Sequence, residues 1–222
     1  MSGKSCSWLL MILVIAPMMF TTLPAGAAGN EFRLKLDTDY EVIKAGAFTL
    51  RPMVRTEQRF RGKGLVLLKI FAGFRMDLAR WLKIQVYYAH KDKMYKDHQI
   101  WHMAVIDLIF HYRFGPLSIS DRNGNEIFVM SHSASYFYRY RNNLDLHLNP
   151  HLGWLRLWVA DEIRVDVDEK RMNMNDAKAG ADLLLGRPFF FRLYYDLESK
   201  RRGKPKWVNT NVFQLMLIMR FG

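Results

Sequence analysis

A single cysteine, Cys6, stands in this chain of 222 residues. No intrachain disulfide can form, and cysteine-ligated zinc or thiol catalysis lacks its residues. An apolar run of about 20 residues, enough for a helix to span a bilayer, is missing too. The longest run, Trp8 to Phe20, falls short of it. Glycine-rich phosphate loops are absent. The seven histidines, at 90, 98, 102, 111, 132, 147 and 151, follow no metal-ligand spacing. Asp121-Arg122-Asn123-Gly124-Asn125 lacks the acidic spacing and closing glutamate of a calcium loop. Its Asn-Gly pair predicts a bend or bulge instead.

What is present first concerns the compartment. Lys4 precedes the short apolar run, and Ala25-x-Ala27 follows it. That order is the layout of a secretory signal peptide, with cleavage expected after Ala27 or one residue later. The expected division is residues 1–27 as a removed signal and 28–222 as one exported domain. Cys6 precedes the apolar run, so it cannot serve as a lipoprotein anchor. The charge is strongly positive, with 33 Lys+Arg against 21 Asp+Glu and a formal net of +12. Half the residues are apolar and 14% are aromatic, which excludes a disordered chain.

Beyond residue 28, apolar residues recur at every second position, the period of a strand with two unlike faces. Tyr136, Tyr138, Tyr140, Leu144, Leu146 and Leu148 oppose Arg139, Arg141, Asn143, Asp145 and His147. Leu155, Leu157, Val159, Ile163 and Val165 oppose Arg156, Glu162, Arg164 and Asp166, with Asp161 breaking the apolar row as a register defect or bulge. Eleven segments read this way: 31–43, 47–60, 65–76, 82–90, 99–113, 117–128, 135–148, 154–167, 176–186, 189–199 and 208–221. Short links at Asp77–Trp81, Gly115-Pro116, Asn149–Gly153 and Gly186–Pro188 alternate with longer ones at Lys91–His98, Met130–Ser135, Asp168–Asn175 and Lys200–Lys206. The expected fold is all-β, an antiparallel up-and-down transmembrane barrel of about 10–12 strands, with tight periplasmic turns and longer outer loops. Bacterial barrels have even strand counts. Either 31–43 is a periplasmic or plug segment, which leaves ten strands, or one segment merges two strands and there are twelve, and ten is the preferred count. Aromatics gather near strand ends, and the last segment alternates Phe213, Leu215, Leu217, Met219 and Phe221. A soluble β-sandwich would also alternate, but it would bury its apolar face.

In a barrel the charged face lines the lumen. The expected charge network comprises Arg139, Arg141, Asp145, Arg156, Glu162, Arg164, Arg192 and Asp196. Arginine suits such a place because its planar fork binds carboxylates in pairs. A surplus of positive lumen charge that selects anions is the sharper alternative. Chemistry is poorly supported. His132-Ser133 would lie on an outer loop, but neighbouring strand residues point to opposite faces. Asp145 and His147 share a face without a serine, which suits a lumen ion pair. No enzyme activity, catalytic residue, metal or cofactor is expected. The expected partners are outer-membrane lipid and the barrel-assembly machinery, the latter through the C-terminal strand. Nucleic acid is not among them, and a monomer is expected.

The run Tyr138-Arg139-Tyr140-Arg141, then Asp161-Glu162, Tyr194-Tyr195 and the closing strand to Phe221, resembles a family of bacterial outer-membrane barrels known as a domain of unknown function. The resemblance is best over residues 105–222. It departs at the strand of Lys178, where alanine and glycine stand in place of further arginines. It implies a barrel and carries no mechanism. Three functional readings follow: a porin-like or transport barrel with an arginine-rich lumen, a structural or envelope-assembly barrel closed by ion pairs, and a lipid-modifying hydrolase.

Overall fold

A computed structural model describes residues 30–222, except 63, 95–97, 132–135, 150–152, 187 and 203–205. The described residues are almost all in strands, with no helix among them. In chain order these are β1 (Asn30–Tyr40), β2 (Ile43–Ala45), β3 (Phe48–Arg61), β4 (Gly64–Ala79), β5 (Leu82–Lys93) and β6 (Gln99–Phe114). They continue with β7 (Leu117–Met130), β8 (Tyr136–Leu148), β9 (Leu155–Asp166), β10 (Arg171–Leu184), β11 (Phe189–Arg202) and β12 (Lys206–Phe221).

From β3 to β12 each strand pairs antiparallel with the next. β1 then closes the ring, pairing antiparallel with β3 and parallel with β12 over Asn30↔Asn211 to Tyr40↔Phe221. β2 continues β1 along the edge of β3 after a break at Glu41 and Val42. The result is one closed barrel of eleven staves. Closure gives each of the eleven staves a neighbour on both sides, so the ladder satisfies most backbone groups of the wall.

Two expectations change here. Segment 31–43 is a stave and not a plug, so the purely antiparallel expectation fails at one seam. The reason is parity: in an odd ring of alternating strands, two neighbours must run the same way. The link lengths also change, because strands extend into segments expected to be loops. β5 runs to Lys93, β10 begins at Arg171 and β11 reaches Arg202. The turns at both rims are then short, from two residues at 80–81 and 115–116 to six at 149–154. The rims are nearly symmetric in length.

The register is nearly unbroken. Asp161 lies in register between Leu144 and Ala177, so it is no bulge. The irregularities fall at Arg59/Phe60, Asp77/Ala79 and Met172/Met174. The Asn123-Gly124 pair also stays within β7, facing Asn142 and Arg141. Gly124 points inward, and a Cβ there would collide with the Asp107 carboxylate and crowd the Arg141 guanidinium.

The two faces of the wall differ sharply, with charged side chains inside and apolar ones outside. Asp107, Asp182 and Asp196 are fully buried inside, while Ile70, Phe74, Ile106, Val159 and Phe213 are exposed outside. One inner patch among the described residues is an apolar cluster, where Phe71, Tyr87, Ala89, Met103, Val105 and Phe128 pack together. Phe128 stacks on Phe137 at 4.4 Å between centroids, and Phe71 meets Tyr87 edge-on at 5.8 Å. Trp81, Phe114 and Trp154 stand exposed at one rim, and Tyr136 at the other.

Candidate functional site

The barrel encloses a cavity of about 850 Å³ lined chiefly by charged side chains. It arises directly from strand geometry: alternate residues of every stave point inward, and those residues are the ionised ones. The expected network lies on this inner face, as follows.

Arg141 on β8 reaches past β7 to Asp107 on β6, with Nη2 2.8 Å from Oδ1, and its Nη1 lies 3.1 Å from Glu126. It also donates to the Tyr87 hydroxyl at 3.0 Å. Arg139 donates from Nε to Asp166 at 3.0 Å and lies over the Phe128 ring. Arg164 donates to Glu162 at 2.6 Å, and Lys178 approaches the other Glu162 oxygen at 2.5 Å. Arg192 binds Asp182 with both fork nitrogens, at 2.6 and 2.9 Å, while its guanidinium lies over Trp158. Arg156 donates to Asn149 at 2.9 Å and stands 3.7 Å from Asp182. Asp196 accepts from Gln214 at 2.7 Å and faces Arg33 at 3.6 Å. Asp145 accepts from Asn143 at 2.6 Å, and His147 packs against Trp158. No ion pair joins Asp145 and His147 among the described residues, a departure from the expected one.

Sequence reasoning missed one complete side of the site. Glu31, Arg33, Lys35, Asp37 and Asp39 of β1 all face the lumen, and four of them are nearly inaccessible. Arg33 donates to Glu31 at 2.5 Å and to Glu198 at 2.6 Å. Arg75 of β4 crosses β3 to bind Asp39. The signal was present, since charges occupy every second position from 31 to 39. The preference for an even strand count set it aside.

Among the described residues one acidic cluster has the spacing to hold a metal ion. Asp176, Asp196 and Glu198 bring carboxylate oxygens within 4.8 Å of one another. Arg33 and Lys200 already contact this cluster, so the chain supplies its own cations there. Asp176 is the exception. Neither of its buried oxygens has a hydrogen-bond partner, and Arg164 stands 3.7 Å away.

For nucleophilic chemistry, His132 and Ser133 lie outside the described residues. Beside them, Ser131 Oγ lies 2.8 Å from His102 Nε2, and the Tyr88 hydroxyl contacts His102 Nδ1, all on the outer surface. The pair has a nucleophile and a base. However, the Ser131 N–H already donates to Ile100 at 3.1 Å, which removes it as an oxyanion donor. At the C-terminal rim, between β1 and β2, a hydrogen bond from Arg51 holds the Glu41 carboxyl below its ordinary range.

Charge in the lumen does not balance. Twenty-one Lys and Arg line the cavity against eight acids, and buried Glu31, Asp39, Asp107, Asp182 and Glu198 flank it. Arg122, Lys91 and Arg201 have no carboxylate partner among the described residues. Comparison with protein-family models, curated proteins and solved structures gives no match to this chain.

Proposed function

We propose that this chain is an outer-membrane barrel, exported by a cleaved signal peptide, whose basic lumen admits small anions. The observation that carries this reading is the excess of lumen cations over carboxylates in a cavity of about 850 Å³. Cations without acid partners hold a positive potential along a narrow, low-dielectric passage, which raises the local concentration of anions. The membrane part draws on the apolar outer wall, the aromatic rims and the closed ladder, which suit a hydrocarbon surrounding. Outer-membrane lipid is then the solvent of the wall. The β12 strand ending on Phe221 is the segment the assembly machinery reads, and the tyrosine–arginine strands support membership of the barrel family that the sequence resembles. The reading involves no chemical step.

A second reading, a barrel closed by its own ion pairs with an envelope-assembly role, is favoured by bonds that bridge non-adjacent staves. Arg33 to Glu198, Arg75 to Asp39 and Lys178 to Asn143 each pass over an intervening strand. Recordings of the refolded protein in planar bilayers separate the two. Conductance with an anion-selective reversal potential supports the first, and a silent bilayer supports the second. Fractionation and heat-modifiable gel migration test the membrane placement independently.

A further inference from the structure

The outer wall is not apolar all the way round. Six polar side chains face outward on four successive staves: Asp121, Asn123 and Asn125 on β7, Asn142 on β8, Asp161 on β9 and Asn175 on β10. Their register sets them side by side, with Asn123 opposite Asn142, Asp121 opposite Leu144, and Leu144 opposite Asp161. Asn142 is the central residue of β8, and Asn123 and Asp161 lie within a residue of the centres of their strands. The island therefore sits at mid-height of the wall, away from both rims.

The island is partly bonded within itself. Asn142 Nδ2 donates to Asp121 at 2.7 Å and to Asn123 at 3.2 Å, and Asn123 donates to the other Asp121 oxygen at 3.0 Å. The Tyr140 hydroxyl donates to Asn123 at 2.5 Å, and Asn175 donates to Asp161 at 3.3 Å. Capacity is left over. Asn125 accepts from Tyr138, but its amide protons reach no partner among the described residues, and Asp161 keeps one oxygen open. Across the barrel Val54 and Ile70 are exposed apolar residues of the outer wall, with Thr56 opposite Ile70 in register. Beside the island, β10 presents Ala177, Ala179 and Ala181, a flat surface that lets another wall come close.

In hydrocarbon, amide and carboxyl groups with open hydrogen-bonding capacity have nothing to pair with, and such groups at mid-depth face protein rather than lipid. We propose that the outer face of β7 to β10 is the interface of a symmetric dimer of this chain. The proposal rests on the membrane reading above. A second copy is the occupant because the island complements itself. Each amide both donates and accepts, and the two carboxyls take amide protons, so a two-fold axis pairs residues of one copy with those of the other. No Lys or Arg faces outward on these strands among the described residues, and a cationic partner would have to carry its charge into the hydrocarbon. This departs from the monomer expected from the sequence.

Single cysteines in a Cys6→Ser background test it in native outer membranes. Under mild oxidation, Leu144→Cys, between Asp121 and Asp161 at the centre of the island, is expected to give a disulfide-linked band at twice the chain mass, and Ile70→Cys, on the opposite wall, to give none. Adding Asn142→Leu to Leu144→Cys should remove the band while heat-modifiable migration shows an intact barrel. Equal cross-linking at the two positions, no band from a folded membrane-inserted barrel, or a band at another mass would each overturn the dimer. A soluble periplasmic protein without heat-modifiable migration would overturn the membrane reading, and the dimer with it. A membrane barrel that fails to cross-link would overturn the dimer alone.

Discussion

Arg33 on β1 donates to Glu198 on β11 at 2.6 Å although β12 lies between their strands. Both side chains are almost wholly buried, so each is the other's substitute for water. The bond exists only because β1 is a stave. It ties the first strand to the last two across the one parallel seam.

Removing one member of this pair leaves a buried charge without its counterpart, which costs about 3–5 kcal/mol in typical proteins. Arg33→Met and Glu198→Gln are each expected to lower the urea midpoint of the folded barrel. The double variant Arg33→Met/Glu198→Met should recover part of the loss, because neither charge is then stranded. Unchanged midpoints in both single variants would show that Glu31 and Lys200 satisfy the site by themselves.

The parallel seam makes a sharp geometric prediction. Leu34 lies opposite Leu215, and both face outward. In a Cys6→Ser background, Leu34→Cys/Leu215→Cys should form an intramolecular disulfide in the folded barrel, because adjacent strands hold Cα atoms within disulfide reach. If residues 31–43 formed a plug, the two cysteines would remain free thiols by mass spectrometry.

Gly124 occupies a position where added volume has nowhere to go. Gly124→Ala pushes a methyl against Asp107 and Arg141, and an overpacked site loses about 1–3 kcal/mol. Gly64→Ala meets open space and should fall within about 0.5 kcal/mol of the parent. Denaturant midpoints of the two variants measured side by side check the contrast.

Lumen selectivity should follow the unpaired cations. Arg122→Glu and Lys91→Glu are expected to move the reversal potential in a salt gradient toward cation preference, and more so together. The effect should shrink at high salt, where the Debye length falls to about 3 Å at 1 M. A reversal potential that is the same in the parent and both variants would remove lumen charge as the selecting element.

Much of this was legible in the residues themselves. The two-residue period alone assigns Arg141, Glu162, Arg164 and Arg192 to the inner face, because strand side chains alternate regardless of partners. The same period runs through Glu31, Arg33, Lys35, Asp37 and Asp39. That stave was misplaced only because a rule about even counts outweighed a local pattern. Link lengths were less legible. Lys91, Lys93 and Arg171 look like loop residues by composition, yet backbone pairing with a neighbour extends the strand through them.

The chain by itself determined which face of each segment is charged, since that follows from the order of residues along one strand. Only the tertiary structure decided how they close. An odd ring forces one parallel seam, and that seam brings Arg33 to Glu198 over 165 positions of sequence. Closure also selects which carboxylate each arginine meets, and it gathers Asp121, Asn142 and Asp161 into one outward island. Register between strands is a property of pairs of segments, and no single segment encodes it.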